Sequence, residues 1–256
     1  MEKKLLNVTV KEAVALCDEY VQLKLTSDEA LPDMKPGQFV EVKINHSHST
    51  FLRRPFSINF FDKSANEFWL LIRAVGDGTK ALYNTKKGDI LNVILPLGNS
   101  FSLPHSNAET LLLIGGGCGT APLLFWGAYL KERNYKPNFL LGARSKKDLL
   151  QLDEFGKYGN VYTATEDGSF GEKGLVTTHS ILNNLQEGFI YSCGPKPMMQ
   201  AVADFAKRNN IACEVSLENT MACGFGACLC CVENTKEGHL CVCKDGPVFN
   251  IEKLLW

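Results

Sequence analysis

A chain of 256 residues, 45% of them hydrophobic, has apolar material for one large or two medium cores plus an appendage. Its 27 basic and 28 acidic residues are interspersed and leave a formal net charge of −1. That balance excludes a nucleic-acid binder or an anionic-membrane binder that works through a basic surface, and there is no low-complexity segment or internal repeat.

The first residues are charged, but the run LLNVTVKEAVAL is interrupted by Lys11 and Glu12, so no signal peptide is expected. Up to about residue 100 the pattern is of short strands: 5–10, 17–26, 37–44, 54–61, 67–75 and 89–95 alternate or are β-branched, with Pro32, Pro36 and Gly37 between them. Loops are expected at 62–66 and 76–79. Such regular spacing with little helical periodicity predicts a small antiparallel barrel.

Two stretches of this barrel carry chemistry. Arg53-Arg54-Pro55-Phe56-Ser57 puts a guanidinium that can pair with phosphate, a ring that can cover a planar cofactor and a hydroxyl on one extended segment. Gly76-Asp77-Gly78-Thr79 has backbone amides to cradle a phosphate. The plain alternatives are a solvated arginine pair and an ordinary turn. His46 and His48 stand in the polar stretch NHSHST without acidic or cysteine neighbours and read as an exposed loop, not a metal site.

After Pro104 the pattern changes. Residues 111–130 form an uncharged run of membrane-spanning length, but three consecutive glycines and Pro122 divide it into a buried strand, a turn and a helix. Strands at 110–114, 138–143, 160–165, 188–192 and 211–217 alternate with helices up to about 134, at 147–158, 175–185 and 197–209, which predicts a parallel sheet with helices on both faces. Ligands of such sheets bind past the carboxyl ends of the strands. Gly115-Gly116-Gly117-Cys118-Gly119-Thr120-Ala121-Pro122 stands at such an end and opens a helix, a favourable place for dinucleotide phosphates. It departs from G-x-G-x-x-G, and a tight strand-to-helix turn is the competing account. Cys193-Gly194-Pro195 follows a later strand and would face the same crevice. Arg144, Ser145 and Lys146 could accept a 2′-phosphate, so the residues leave NAD or NADP open. Cys17, Cys118 and Cys213 read as small buried residues.

The most informative stretch is MACGFGACLCCVENTKEGHLCVCKDGPVF, from Met221 to Phe249, where six of the ten cysteines fall between Cys223 and Cys243. Cys223, Cys228 and Cys231 have the spacing C-x4-C-x2-C and Cys243 follows, the ligand order of a plant-type [2Fe–2S] site. Gly224 and Gly226 let the loop backbone turn its amides toward sulfur. Structural disulfides fit poorly, because adjacent Cys230 and Cys231 cannot easily join separate unstrained bridges. Structural zinc would favour paired C-x2-C knuckles, of which only Cys228 and Cys231 make one. Cys231 is chosen for its spacing and Cys243 for the Asp-Gly-Pro turn behind it, expected to fold a strand end over the cluster; Cys230 and Cys241 are the possible substitutes.

In this order, Arg54-Pro55-Phe56-Ser57, Gly78-Thr79, GGGCGTAP, CGPKPMM and MACGFGAC resemble the ferredoxin-reductase family, and within it the iron–sulfur electron-transfer subunits of type B dihydroorotate dehydrogenases. The resemblance spans essentially the whole chain. Related hydrogenase and sulfite-reductase subunits share a similar CKDGPVF ending. It implies a mixed fold of an FAD-binding barrel at 1–102, an NAD-binding α/β domain at 103–217 and a [2Fe–2S] module at 218–256. It implies that Arg54, Pro55, Phe56 and Ser57 hold FAD, completed by Leu71, Ile72, Arg73, Gly78 and Thr79, with NAD at Gly115, Gly116, Gly117, Gly119, Cys193, Gly194 and Pro195. Phe56 replaces a tyrosine of many relatives, which keeps stacking and loses a hydroxyl; Cys230 replaces a non-ligating residue.

NAD exchanges electrons in pairs and a [2Fe–2S] cluster singly, so a flavin is required between them. The implied task is to pass electrons from dihydroorotate, oxidised at the FMN of a partner catalytic subunit in pyrimidine biosynthesis, to NAD+. A cytoplasmic heterotetramer with two copies of each subunit is expected. No base able to oxidise dihydroorotate is recognisable in this chain. The alternatives are the NAD(P)H-reactive subunit of a hydrogenase or sulfite reductase and, in another class, a zinc-stapled interaction module.

Overall fold

A computed structural model describes residues 3–45, 47, 49–104, 110–185 and 187–256. His46 and His48 therefore lie outside the described residues. The chain divides into two compact units, one of Met1–Ser100, Asn219–Glu233 and His239–Pro247, the other of Phe101–Glu218, Asn234–Gly238 and Val248–Trp256.

In the first unit β1 (Lys4–Cys17), β2 (Tyr20–Thr26), β3 (Phe39–Val42), β4 (Arg54–Asp62), β5 (Glu67–Arg73) and, after a helix, β6 (Ile90–Leu97) close an antiparallel barrel in the order β1-β2-β5-β4-β3-β6. Val8, Val10, Leu23, Leu25, Phe68, Leu70, Ile72, Val93 and Leu95 are buried in it, and burying a side chain of this size stabilises by about 1.5–3 kcal/mol. Two features depart from the sequence reading. The first strand continues to Cys17: a bulge between Val10 and Glu12 leaves Lys11 outside the register with β2, and the pairing resumes at Glu12. Cys17 is only half-buried. The expected loop at 76–79 instead opens α1 (Asp77–Tyr83), because the Thr79 hydroxyl accepts hydrogen bonds from the Val75 and Gly76 amides at 2.9 and 3.0 Å.

The second unit begins with β7 (Leu111–Gly116), a 3₁₀ turn at Gly117–Thr120 and α2 (Ala121–Lys131). There follow β8 (Pro137–Ala143), α3 (Leu152–Gly156), β9 (Asn160–Thr165), the two-residue β10 (Glu172–Lys173), β11 (Phe189–Cys193), α4 (Lys196–Arg208) and β12 (Ala212–Ser216). A hairpin of β13 (Val232–Thr235) and β14 (Gly238–Cys241) and the one-turn α5 (Val242–Asp245), which belongs to the first unit, precede β15 (Val248–Asn250) of the second. The sheet order is β10-β9-β8-β7-β11-β12-β15, parallel except for the antiparallel β12–β15 edge. The uncharged run is thus β7, a turn and a helix buried from Ala121 to Ala128, and no helix among the described residues is long and apolar enough to cross a membrane.

Two expected helices shrink. The one at 147–158 becomes a 3₁₀ turn at Lys146–Asp148 and α3, separated by extended Leu149 and left-handed Gln151. That at 175–185 becomes two 3₁₀ turns, broken at His179, whose Nδ1 accepts the Ile181 amide at 3.1 Å and so competes with helical bonding. The antiparallel β15 was not foreseen, since its three residues offer no readable period.

β12 carries Glu214, almost fully buried, which accepts the Ser102 amide at 2.9 Å. Burial, opposed by the Ser102 bonds, holds its carboxyl above the usual range. The raised value means that this group's share of stability is full below the ordinary glutamate pKa and is lost as pH rises through the folded value. Urea midpoints at pH 4 and pH 8 are expected to differ less in Glu214→Gln than in the parent chain.

Candidate cofactor sites and the cysteine loop

The two arginines at the head of β4 divide the work. Arg53 turns into the barrel wall, donating to the Asn92 carbonyl at 2.9 Å and to Asn92 Oδ1 at 2.5 Å. Among the described residues the Arg54 guanidinium donates to the carbonyls of Leu52 and Arg53, at 3.4 and 3.3 Å, and Arg54 is half-buried like Pro55, Phe56 and Ser57 beside it. Of the two, Arg54 is the one whose hydrogen bonds are long and confined to adjacent carbonyls. Leu71 and Ile72 are buried in the core, so they can offer a ligand only backbone. Arg73 is paired with Glu19 at 2.8 Å and lies over the Tyr20 ring. Gly78 lies under Thr50, at 3.1 Å from an added methyl, and the Thr79 hydroxyl is spent on the start of α1. Removing one charged hydrogen bond costs about 1.5–3 kcal/mol. Arg54→Ala is therefore expected to weaken FAD retention roughly tenfold to a hundredfold, measured by equilibrium dialysis, with an unchanged melting temperature, whereas Arg53→Ala lowers the melting temperature.

β7 and β11 are parallel neighbours with Gly115 opposite Cys193, so the glycine loop and Cys193-Gly194-Pro195 stand at adjacent carboxyl ends. The glycines serve close packing. A methyl on Gly119 would lie 2.4 Å from Gly194 Cα, one on Gly116 2.6 Å from Met198 Sδ, and Gly117 and Gly194 have φ of +55° and +157°. Just beyond β12, Glu218 Oε1 lies 3.9 Å from Cys193 Sγ; burial and the Glu218 charge push this thiol well up. Glu218 is a polar group at the same strand ends that sequence reading passed over, because a lone glutamate after a strand carries no motif.

In the cysteine loop, Gly224, Gly226 and Leu229 take positive φ values of 77°, 91° and 59°, turning amides toward sulfur. Ala227 and Cys228 N–H groups donate to Cys223 Sγ at 3.3 and 3.4 Å. Gly226 N–H donates to Cys243 Sγ at 3.0 Å and Cys243 N–H to Cys231 Sγ at 3.3 Å. The cysteines fall into two pairs, each joined by an amide of one donating to the sulfur of the other, Cys228 to Cys223 and Cys243 to Cys231. Burial works against ionising Cys223, yet the Phe225, Cys228 and Ala227 amides and the Cys228 thiol bring it down to about 6, while burial and Cys231 push the Cys243 thiol well up. Cys231 and Cys243 are buried and Cys230 is exposed. Cys243 belongs to α5, not to a strand end, because the chain coils for one turn before Gly246. Among the described residues no three His, Cys, Asp or Glu side chains converge on a single-ion site; the cysteines are linked by amides donating to sulfur. Four soft sulfur ligands in two such pairs suit a two-iron cluster.

A barrel with a half-buried arginine at the head of β4, a parallel sheet with glycine-lined strand ends and a loop of paired cysteines define a ferredoxin-reductase-type oxidoreductase with an iron–sulfur module. Residues 218–255 match the iron–sulfur cluster binding domain of dihydroorotate dehydrogenase B, and 113–204 the oxidoreductase NAD-binding domain. The chain is 42% identical over 253 residues to the electron transfer subunit of dihydroorotate dehydrogenase B (NAD(+)) from Listeria innocua, and 38% identical over 253 residues to that from Fusobacterium nucleatum, each match covering 96% of both chains. The solved NADH-dependent reduced ferredoxin-NADP oxidoreductase, studied for flavin-based electron bifurcation, superimposes with a TM-score of 0.86 at 29% identity, over 97% of this chain and 90% of that one. The chain belongs to the family of dihydroorotate dehydrogenase B electron transfer subunits.

Proposed function

We propose that this chain delivers to NAD+ the electrons released when a partner catalytic subunit oxidises dihydroorotate. The observation that carries the reading is that the loop of paired cysteines packs on β3, next to the strand that bears Arg54, Pro55, Phe56 and Ser57. Cys223 and Cys228 would hold one iron, Cys231 and Cys243 the other, with Cys230 outside the set. Arg54 would pair with the FAD pyrophosphate, Phe56 would cover its ring, and the Ser57 hydroxyl would hydrogen-bond it. Leu71, Ile72, Gly78 and Thr79 would contribute backbone, and Arg73 a charge already shared with Glu19. The loop at Gly115, Gly116, Gly117 and Gly119 would approach NAD closely, with Cys193, Gly194 and Pro195 on the neighbouring strand end. Bound flavin supplies the exchange between paired and single electrons.

The functional division proposed is 1–102 for FAD, 103–217 for NAD and 218–256 for the cluster, in a cytoplasmic heterotetramer with two FMN-containing catalytic subunits. The test is division of labour. The purified, cofactor-loaded chain is expected to reduce a dye with NADH and to form no orotate from dihydroorotate. Orotate formation without a partner would refute the reading, and co-purification with hydrogenase or sulfite-reductase subunits would replace it.

A further inference from the structure

Beside β9 and β10, near the edge of the second unit's sheet, Tyr162, Glu172, His179, Ser180, Ile181 and Asn183 line a cavity of about 530 Å³. That volume falls within the roughly 300–1,000 Å³ of small-molecule sites. Tyr162 pairs with Leu140 of β8, three residues before β9 ends at Thr165. At about 3.3 Å per residue it is set back about 10 Å from the strand ends proposed for NAD. His179, between the two 3₁₀ turns, has a side chain only 6% exposed. Because Nδ1 accepts the Ile181 amide, the ring proton is on Nε2, and among the described residues that N–H has no hydrogen-bond partner. A donor so enclosed costs about 1–3 kcal/mol unless an acceptor in the cavity meets it. The Tyr162 ring, 36% exposed, stands at 78° to the imidazole with 6.0 Å between centroids. Glu172 accepts the Ser180 hydroxyl and, at 2.9 Å, the Ser180 amide, and these bonds hold its carboxyl below the usual glutamate range.

We propose that this cavity binds a nucleoside, with the base against the Tyr162 ring, an acceptor atom of base or sugar on His179 Nε2–H, and sugar hydroxyls donating to Glu172. An aromatic face suits any base, and an ionised carboxylate only accepts hydrogen bonds, so its complement is a donor such as a diol. A nucleoside joins a flat ring bearing acceptor atoms to such a diol and carries no charge. The same wall selects against phosphorylated nucleotides. It presents a fixed carboxylate and, among the described residues that line it, no lysine or arginine, so an entering anion meets a like charge. The proposed route of electrons through cluster, flavin and NAD uses none of these side chains.

The test is isothermal titration calorimetry of the cofactor-loaded chain with adenosine, cytidine and uridine, and with their 5′-monophosphates. Saturating NAD+ is present throughout, to fill the crevice at the strand ends. At least one nucleoside is expected to bind with Kd at or below about 1 mM, more tightly than its monophosphate. Tyr162→Ala is expected to weaken binding roughly five- to 150-fold, the worth of one stacked base. Its melting temperature and NADH-dependent dye reduction should stay at the parent values. Tyr162→Phe keeps the ring and should bind like the parent. Glu172→Gln removes the charge and should bring the monophosphate level with the nucleoside, a result that does not depend on the Tyr162 variants folding. The proposal is overturned if no nucleoside binds in the presence of NAD+, or if folded Tyr162→Ala binds like the parent. It is also overturned if the parent takes the monophosphate as tightly as the nucleoside, or if Glu172→Gln still discriminates between them.

Discussion

Cys231→Ser is expected to remove the iron–sulfur centre while leaving the flavin. Cys231 is 2% exposed and its sulfur accepts the Cys243 amide, so it is fixed in place, whereas its sequence neighbour Cys230 is exposed. A serine hydroxyl in its place is a harder and far less acidic donor than the thiolate that iron prefers. The expected results are iron and sulfide below half of the parent content and no EPR signal on reduction. Electron delivery from the partner should fall by more than the roughly 10–100-fold that loss of an outer-shell partner costs. NADH-dependent dye reduction, which needs only the flavin, should stay within about twofold. Cys230→Ser is the matched control: exposed and outside both thiol pairs, it should keep the full complement of iron. A Cys230 variant that loses iron while Cys231→Ser retains it would reverse the ligand assignment.

Gly119→Ala is expected to damage both the fold and nucleotide binding. The added methyl would lie 2.4 Å from Gly194 Cα, 2.5 Å from Gly194 N and 2.6 Å from the Cys193 carbonyl carbon. All three are backbone atoms, so no rotamer change relieves the clash and the strand ends must part. Overpacking costs about 1–3 kcal/mol. At roughly 2–4 °C per kcal/mol for a chain near this size, the melting temperature should fall by several degrees. kcat/KM for NADH should drop at least about tenfold, since these strand ends are where an α/β sheet binds its nucleotide. Gly76→Ala, with nothing within 4 Å of the new methyl, is the control. Unchanged melting and NADH kinetics in Gly119→Ala would remove the argument for close approach at this loop.

The comparison of sequence with structure is sharpest where glycines are involved. Gly78 and Gly119 look alike in sequence, each a small residue ahead of a threonine. In the fold Gly78 sits under Thr50 beside the start of α1, while Gly119 lets two strand-end loops touch. The arginine pair behaves likewise, with Arg53 and Arg54 indistinguishable by type and separated only because Asn92 on β6 captures the first.

The barrel, the parallel sheet and the cysteine loop were legible in the chain because each writes a local period or spacing: two for strands, strand–helix alternation, and C-x4-C-x2-C. Tertiary structure alone decided the pairing of thiols, the antiparallel edge strand β15 and the burial of Glu41 against Gly224. These depend on which distant residues meet, and no local period encodes that. A carboxyl in the sequence Phe39-Val40-Glu41-Val42 reads as the outward face of a strand. It is enclosed only because a loop more than 180 residues later folds over it.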